Sequence, residues 1–169
     1  MVRVLCSCAC SIGIVGALMT LISGCEKSTD STPSEFVAEA KDFSGYRTWT
    51  QTTAPRRGPD PSGFIGDAHA AQDTMVIRSI FVNNSNAQRQ GNREFPVGTI
   101  FLKELRAPDG SIPMITAMVK RGGSFNPNDK GWEWFVLDGQ GAITMRGSNV
   151  MDGMCAACHK AASDYVFTR

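Results

Sequence analysis

The chain has 169 residues, with 17 basic and 16 acidic side chains and a net charge of +1 at pH 7. That length supports one domain beside any processing segment. With charge so nearly balanced, composition suggests no polyanion partner, and no nucleic-acid partner is expected.

Arg3 is the first charged side chain and Glu26 the next. The apolar stretch between them, Ser11 to Ser23, is too short for a permanent membrane span. It runs into Leu21-Ile22-Ser23-Gly24-Cys25, which resembles a bacterial lipoprotein cleavage box. The expectation is a signal peptide over residues 1–24, with Cys25 taking lipid and becoming the first mature residue. An ordinary signal peptide with a coincidental cysteine is the alternative. Residues 25–34 are polar and rich in Ser, Thr and Pro, and read as a tether. Residues 35–169 form the functional domain, facing the periplasm from a lipid anchor on a bacterial membrane. Of six cysteines, Cys25, Cys155 and Cys158 would survive processing.

Along the mature chain, Ser34 to Asp42 opens on a helix-start serine, with Phe36, Val37 and Ala40 at helical spacing. Tyr46 and Trp49 follow as an aromatic pair at the core edge. Pro55 to Gly66 reads as a surface loop. Thr74 to Val82 is β-branched and aromatic, which predicts a strand. Asn83 to Asn92 is polar, with room for a short helix from Ser85. Val97 to Leu105, Ile112 to Lys120 and Gly131 to Asp138 predict further strands, and Ala142 to Met145 a returning one. Pro-Asp-Gly and Gly-Gln-Gly turns between them argue for antiparallel pairing. Asn149 to Ala162 is expected to be helical. The fold class is therefore α+β, an antiparallel β-sheet with a few flanking helices.

The predicted C-terminal helix carries Cys155-Ala156-Ala157-Cys158-His159. In an exported chain, C-x-x-C-H reads as attachment of one covalent c-type haem. The thiols would form thioethers to the vinyl groups and His159 would ligate iron. Three rival readings exist. A structural zinc needs four ligands, and the finger spacing is absent. A thioredoxin-like pair should follow a strand and open a helix in an α/β unit. A plain disulfide is the simplest alternative. Lys160 to Arg169 contain no Met or His. A sixth iron ligand must then come from upstream, or the position is open.

Side-chain alternation narrows the other candidates. Lys103 shares a strand face with Thr99, Phe101 and Leu105, so it snorkels from that face or enters a pocket. Arg78 shares a face with Val76, Ile80 and Val82, where an arginine calls for an anionic partner such as a haem propionate. A half-exposed charge at a sheet edge is the alternative for both. Trp132 and Trp134 share a face with Val136 and read as core.

With these residues in view, the chain resembles the cytochrome P-460 family, related to the beta-type cytochromes c-prime. The matching stretches are Gly45 to Trp49, Ile77 to Asn83, Phe95 to Leu105, Met118 to Lys120, Gly131 to Phe135 and Cys155 to Phe167. The resemblance implies a sheet-rich fold, one haem, a homodimer, and a five-coordinate iron with His159 proximal. Lys103 falls on the lysine that one branch bonds to the porphyrin edge. A lysine attacks carbon only when neutral, a form that apolar surroundings favour. Arg78 falls on the distal-pocket arginine. Phe95 and Phe101 are candidates for the aromatic cap over the open iron site. Thr116 falls where hydroxylamine-oxidising members carry a glutamate proton acceptor, and a threonine is no general base near neutral pH.

The expected function is therefore a c-type haem protein with an open distal site, binding nitric oxide or oxidising small nitrogen compounds such as hydroxylamine. Its redox partner protein is not identified by these residues. The alternative is a six-coordinate electron-transfer cytochrome. Met75, Met114, Met118, Met145, Met151, Met154 and His69 are then the donors to consider, Met118 first. A third reading makes haem a structural staple in a binding lipoprotein.

Overall fold

In a computed structural model of the chain, the residues described are 34–57 and 75–167. The expected signal peptide over residues 1–24, Cys25 and His69 lie outside them. The described residues form a six-stranded antiparallel sheet whose strands pair in sequence order. The strands are β1 (Thr50–Gln51), β2 (Ile77–Val82), β3 (Ile100–Arg106), β4 (Met114–Lys120), β5 (Trp132–Leu137) and β6 (Ile143–Gly147). Each of the longer ones is rich in β-branched and aromatic residues, and each hairpin turn carries Gly, Pro, Asp or Asn. One helix, α1 (Met154–His159), and several short 3-10 turns complete the α+β fold. No helix among the described residues is long and apolar enough to cross a membrane.

Three helical expectations change. Residues 34–42 hold only a 3-10 turn, Ala40–Phe43. Tertiary pairing overrides helical periodicity here: Glu35 bridges to Gly122, and the Phe36 N–H donates to the Arg121 carbonyl at 2.8 Å. The 83–92 segment is a chain of turns, because Asn84 accepts from the Asn86 N–H and Asn92 from the Glu94 N–H, competing with a helical ladder. The C-terminal helix is shorter than Asn149–Ala162. Met151, Asp152 and Gly153 are left-handed before it, and Asp164 and Tyr165 after it.

Pairing register sorts side chains onto two faces. Arg78 lies opposite Leu105, Lys103 opposite Ile80 and Thr116, and Met118 opposite Phe101 and Trp134. These residues make a front face. The back face carries Phe81, Leu102, Ile115, Ala117, Val119, Phe135 and Leu137. It is covered by the 34–49 segment, whose Ala38, Phe43 and Tyr46 pack into it. The front core joins Val82, Phe101, Met118, Trp132, Trp134 and Val136 to Ala87 and Phe95 of the β2–β3 loop and to Ala156, Tyr165 and Val166 around α1.

Two buried carboxylates anchor the back face. Glu104 accepts from the Tyr46 hydroxyl, from Arg47 Nη2 at 3.0 Å and from Arg106 Nη2 at 2.6 Å. Burial and Glu104 together push the Tyr46 phenol well above its ordinary pKa. Glu133 accepts from Arg146 at 2.8 Å and Arg121 at 3.3 Å. Arg146 also donates to the Ala38 carbonyl at 2.9 Å, which fastens the covering segment to the sheet. Replacing Glu104→Gln removes the charge that both arginines share. Chemical denaturation should report a loss of about 2 kcal/mol, and an unchanged midpoint would mean that this ion cluster contributes nothing.

Candidate functional site

Gly153 caps the start of α1 with a left-handed φ of 76°, which glycine adopts without strain, and Ala156 of the helix packs into the front core. Within α1, Cys155 and Cys158 are separated by three positions and so project from one side. Both thiols are free and half-buried. Cys155 packs against the front core. Burial is the leading cause that pushes its thiol pKa up, so the neutral form dominates. The Lys103 ammonium opposes that shift weakly, which sets the lysine within electrostatic reach of the helix.

His159 closes α1. Its Nδ1 lies 2.8 Å from the Tyr165 carbonyl oxygen, so Nδ1 carries the proton and donates. With Nδ1 so engaged, a metal ion would be met through Nε2, which the carbonyl makes a better base. The ring is held by Trp134, with centroids 4.9 Å apart, and by Phe167 at 5.5 Å. Trp134 thus does two things: it belongs to the core, as read from the sequence, and it is the wall behind the histidine. Its buried indole Nε1 has no hydrogen-bond partner among the described residues.

The turn that supplies the Tyr165 carbonyl is itself pinned. The Tyr165 hydroxyl donates to Asp129 at 2.8 Å. Arg89 Nη2 donates to the Ser163 carbonyl at 2.8 Å and the Val166 carbonyl at 2.9 Å. Asp164 is fully buried and accepts from Lys120 Nζ and Trp132 Nε1, each at 3.0 Å.

The front face gathers the remaining sequence candidates. Arg78 is 3% exposed and donates to the Val76 carbonyl at 3.3 Å. The half-exposed edge position is excluded for Arg78 and Lys103, since Lys103 is 9% exposed. Thr116 is half-buried beside Lys103. Phe95 and Phe101 are buried and meet edge-to-face at 5.2 Å, with Trp132 completing an aromatic cluster. Met118 is the buried thioether of this face, Met114 and Met151 flank the front core, and Met75, Met145 and Met154 are exposed.

These residues fit a c-type haem. Two unjoined thiols project from one side of a helix, an oriented imidazole follows, and the helix packs on an apolar sheet face that also carries a buried arginine and lysine. The rival readings fit less well. The thiols are not joined, and no group of three or more His, Cys, Asp or Glu converges to hold a metal ion among the described residues. Sequence reasoning missed Asp164, Lys120 and Arg89, whose pairing depends on contacts between segments far apart in the chain.

A family model described as Cytochrome P460 matches residues 43–168, and the chain belongs to this family of haem-binding, iron-containing cytochromes. A comparison with curated proteins returns no match.

Burial and the Asp129 hydrogen bond push the Tyr165 phenol up to about 12. The unfolded chain ionises near 10, so folded-state stability is whole below that pH and drains away as pH rises through about 12. Alkaline unfolding should therefore steepen in this window, and Tyr165→Phe should flatten the slope. Identical slopes would remove Tyr165 from the clamp.

Proposed function

With membership of the cytochrome P460 family as the premise, we propose that this chain is a c-type mono-haem protein whose iron keeps an open distal position. Its task is to bind nitric oxide or to oxidise a small nitrogen compound such as hydroxylamine. Haem supplies an iron that exchanges small ligands and passes single electrons. The chain supplies the rest. Cys155 and Cys158 hold the macrocycle covalently, and His159 ligates through Nε2. The observation that carries the reading is the register that sets Arg78, Lys103, Thr116 and Phe101 on the face where α1 lies.

Each side chain then has a physical task. Arg78 donates to a propionate or to a bound ligand. Phe95 and Phe101 exclude water and bulky ligands. Lys103 stands where a bond to the porphyrin edge would form. Thr116 holds no proton acceptor near the open position, which favours ligand binding over fast hydroxylamine turnover. The proposal extends to a lipid anchor at Cys25, a periplasm-facing location, a homodimer and a redox partner protein.

The electron-transfer alternative rests on Met118, a buried thioether on the same face. An optical spectrum of the purified protein, with its intact mass, separates the readings. The mass should report one attached haem, and the reduced protein should bind nitric oxide or carbon monoxide without first losing a strong ligand. Low-spin six-coordinate spectra in both redox states would favour Met118 instead. A strongly red-shifted Soret band would identify a Lys103 crosslink. Thr116→Glu should raise hydroxylamine oxidation about a hundredfold near pH 7, followed by product assay. No gain in a folded, haem-loaded variant would place proton transfer elsewhere.

A further inference from the structure

We infer that Asp164 is a positioning residue: one buried carboxylate locks the acceptor of the His159 imidazole to the Phe95 side of the site. The inference rests on the haem reading above and goes beyond it.

Three donors meet the carboxylate among the described residues. Oδ2 takes the Phe95 backbone N–H at 2.6 Å, and Oδ1 takes Lys120 Nζ and Trp132 Nε1, each at 3.0 Å. Its side chain is 0% exposed. Such a socket demands an anion, because a neutral amide would turn an N–H against at least one of these donors. The backbone at Asp164 is left-handed, with φ 45° and ψ 42°, and Tyr165 follows at φ 61°. Residues that carry a Cβ adopt this conformation only at a cost. It lets the Asp164 side chain turn into the core while the next carbonyl faces His159.

The contacts close into a ring. Lys120 also pairs with Glu94 at 3.0 Å, the neighbour of Phe95. Arg89 stacks on the Phe95 ring at 4.9 Å and donates to the carbonyls of Ser163 and Val166, on either side of Asp164. Segments 94–95 and 163–166 are therefore joined through both side chain and backbone. Phe95 in turn meets Phe101, so a displacement of the Tyr165 carbonyl would be passed to the aromatic pair that the proposed function assigns to the iron's open side, and the reverse.

The test uses the full haem-loaded chain and two measurements: the iron–imidazole stretching frequency of the ferrous protein by resonance Raman, and amide hydrogen exchange at Phe95 and Tyr165. Asp164→Asn should lower and broaden the stretch, because a displaced carbonyl leaves Nε2 less basic. It should also speed exchange about tenfold or more. Trp132→Phe removes a single donor and should move both readouts the same way by less. Glu104→Gln breaks the ion cluster of the back face and serves as the control, with lowered stability and an unchanged stretch. Faster exchange with an unchanged stretch in both front-face variants overturns the inference, as does an equal shift in Glu104→Gln. If Asp164→Asn does not fold, Trp132→Phe decides. A wild-type chain that takes up no haem sinks the functional reading itself, while exchange at Phe95 still judges whether Asp164 locks the two segments.

Discussion

The antiparallel ladder from β2 to β5 is the constraint on which the site depends. Alternation gives each strand two chemically different sides, and the register aligns Arg78, Lys103, Thr116 and Phe101 on one of them. A slip of one residue in β3 would send Lys103 to the back and bring Glu104 forward. The slip is costly on both sides, because Glu104 would leave Tyr46 and Arg47 while Leu102 would leave the back core. The apolar back face and its ion cluster thus hold the register that the front face uses.

Buried carboxylates recur in this architecture under one rule. Glu104, Glu133 and Asp164 are each nearly inaccessible, and each is met by two or more donors. Paired burial of this kind adds little net stability against an apolar substitute, but a single wrong pairing leaves a charge stranded. Its effect is selection among packings. Glu133 fastens the segment that covers the back, Glu104 ties the 3-10 turn at Tyr46 to β3, and Asp164 ties the turn after α1 to β4 and β5.

Much of this was legible in the sequence, and the reason is local. Strands β2 to β5 carry dense β-branched and aromatic residues between Gly- and Pro-marked turns, so strand identity follows from short windows. The C-x-x-C-H spacing and the shared faces of Lys103 and Arg78 are equally local. Helical spacing at Phe36, Val37 and Ala40 misled because the edge pairing of Glu35 with Gly122 is non-local. Asp164 left no local signal at all: nothing near Ser163-Asp164-Tyr165 announces Lys120, Trp132 or Phe95 as its partners. Trp134 was read as core, and only the tertiary arrangement shows that its other edge supports an imidazole.

The left-handed residues on the two sides of α1, Met151 and Asp152 before it and Asp164 and Tyr165 after it, are held unequally. Asp164 and Tyr165 are buried and clamped by Lys120, Trp132 and Asp129, whereas Asp152 is exposed. Local opening of this stretch would therefore start before the helix and leave the turn after it in place.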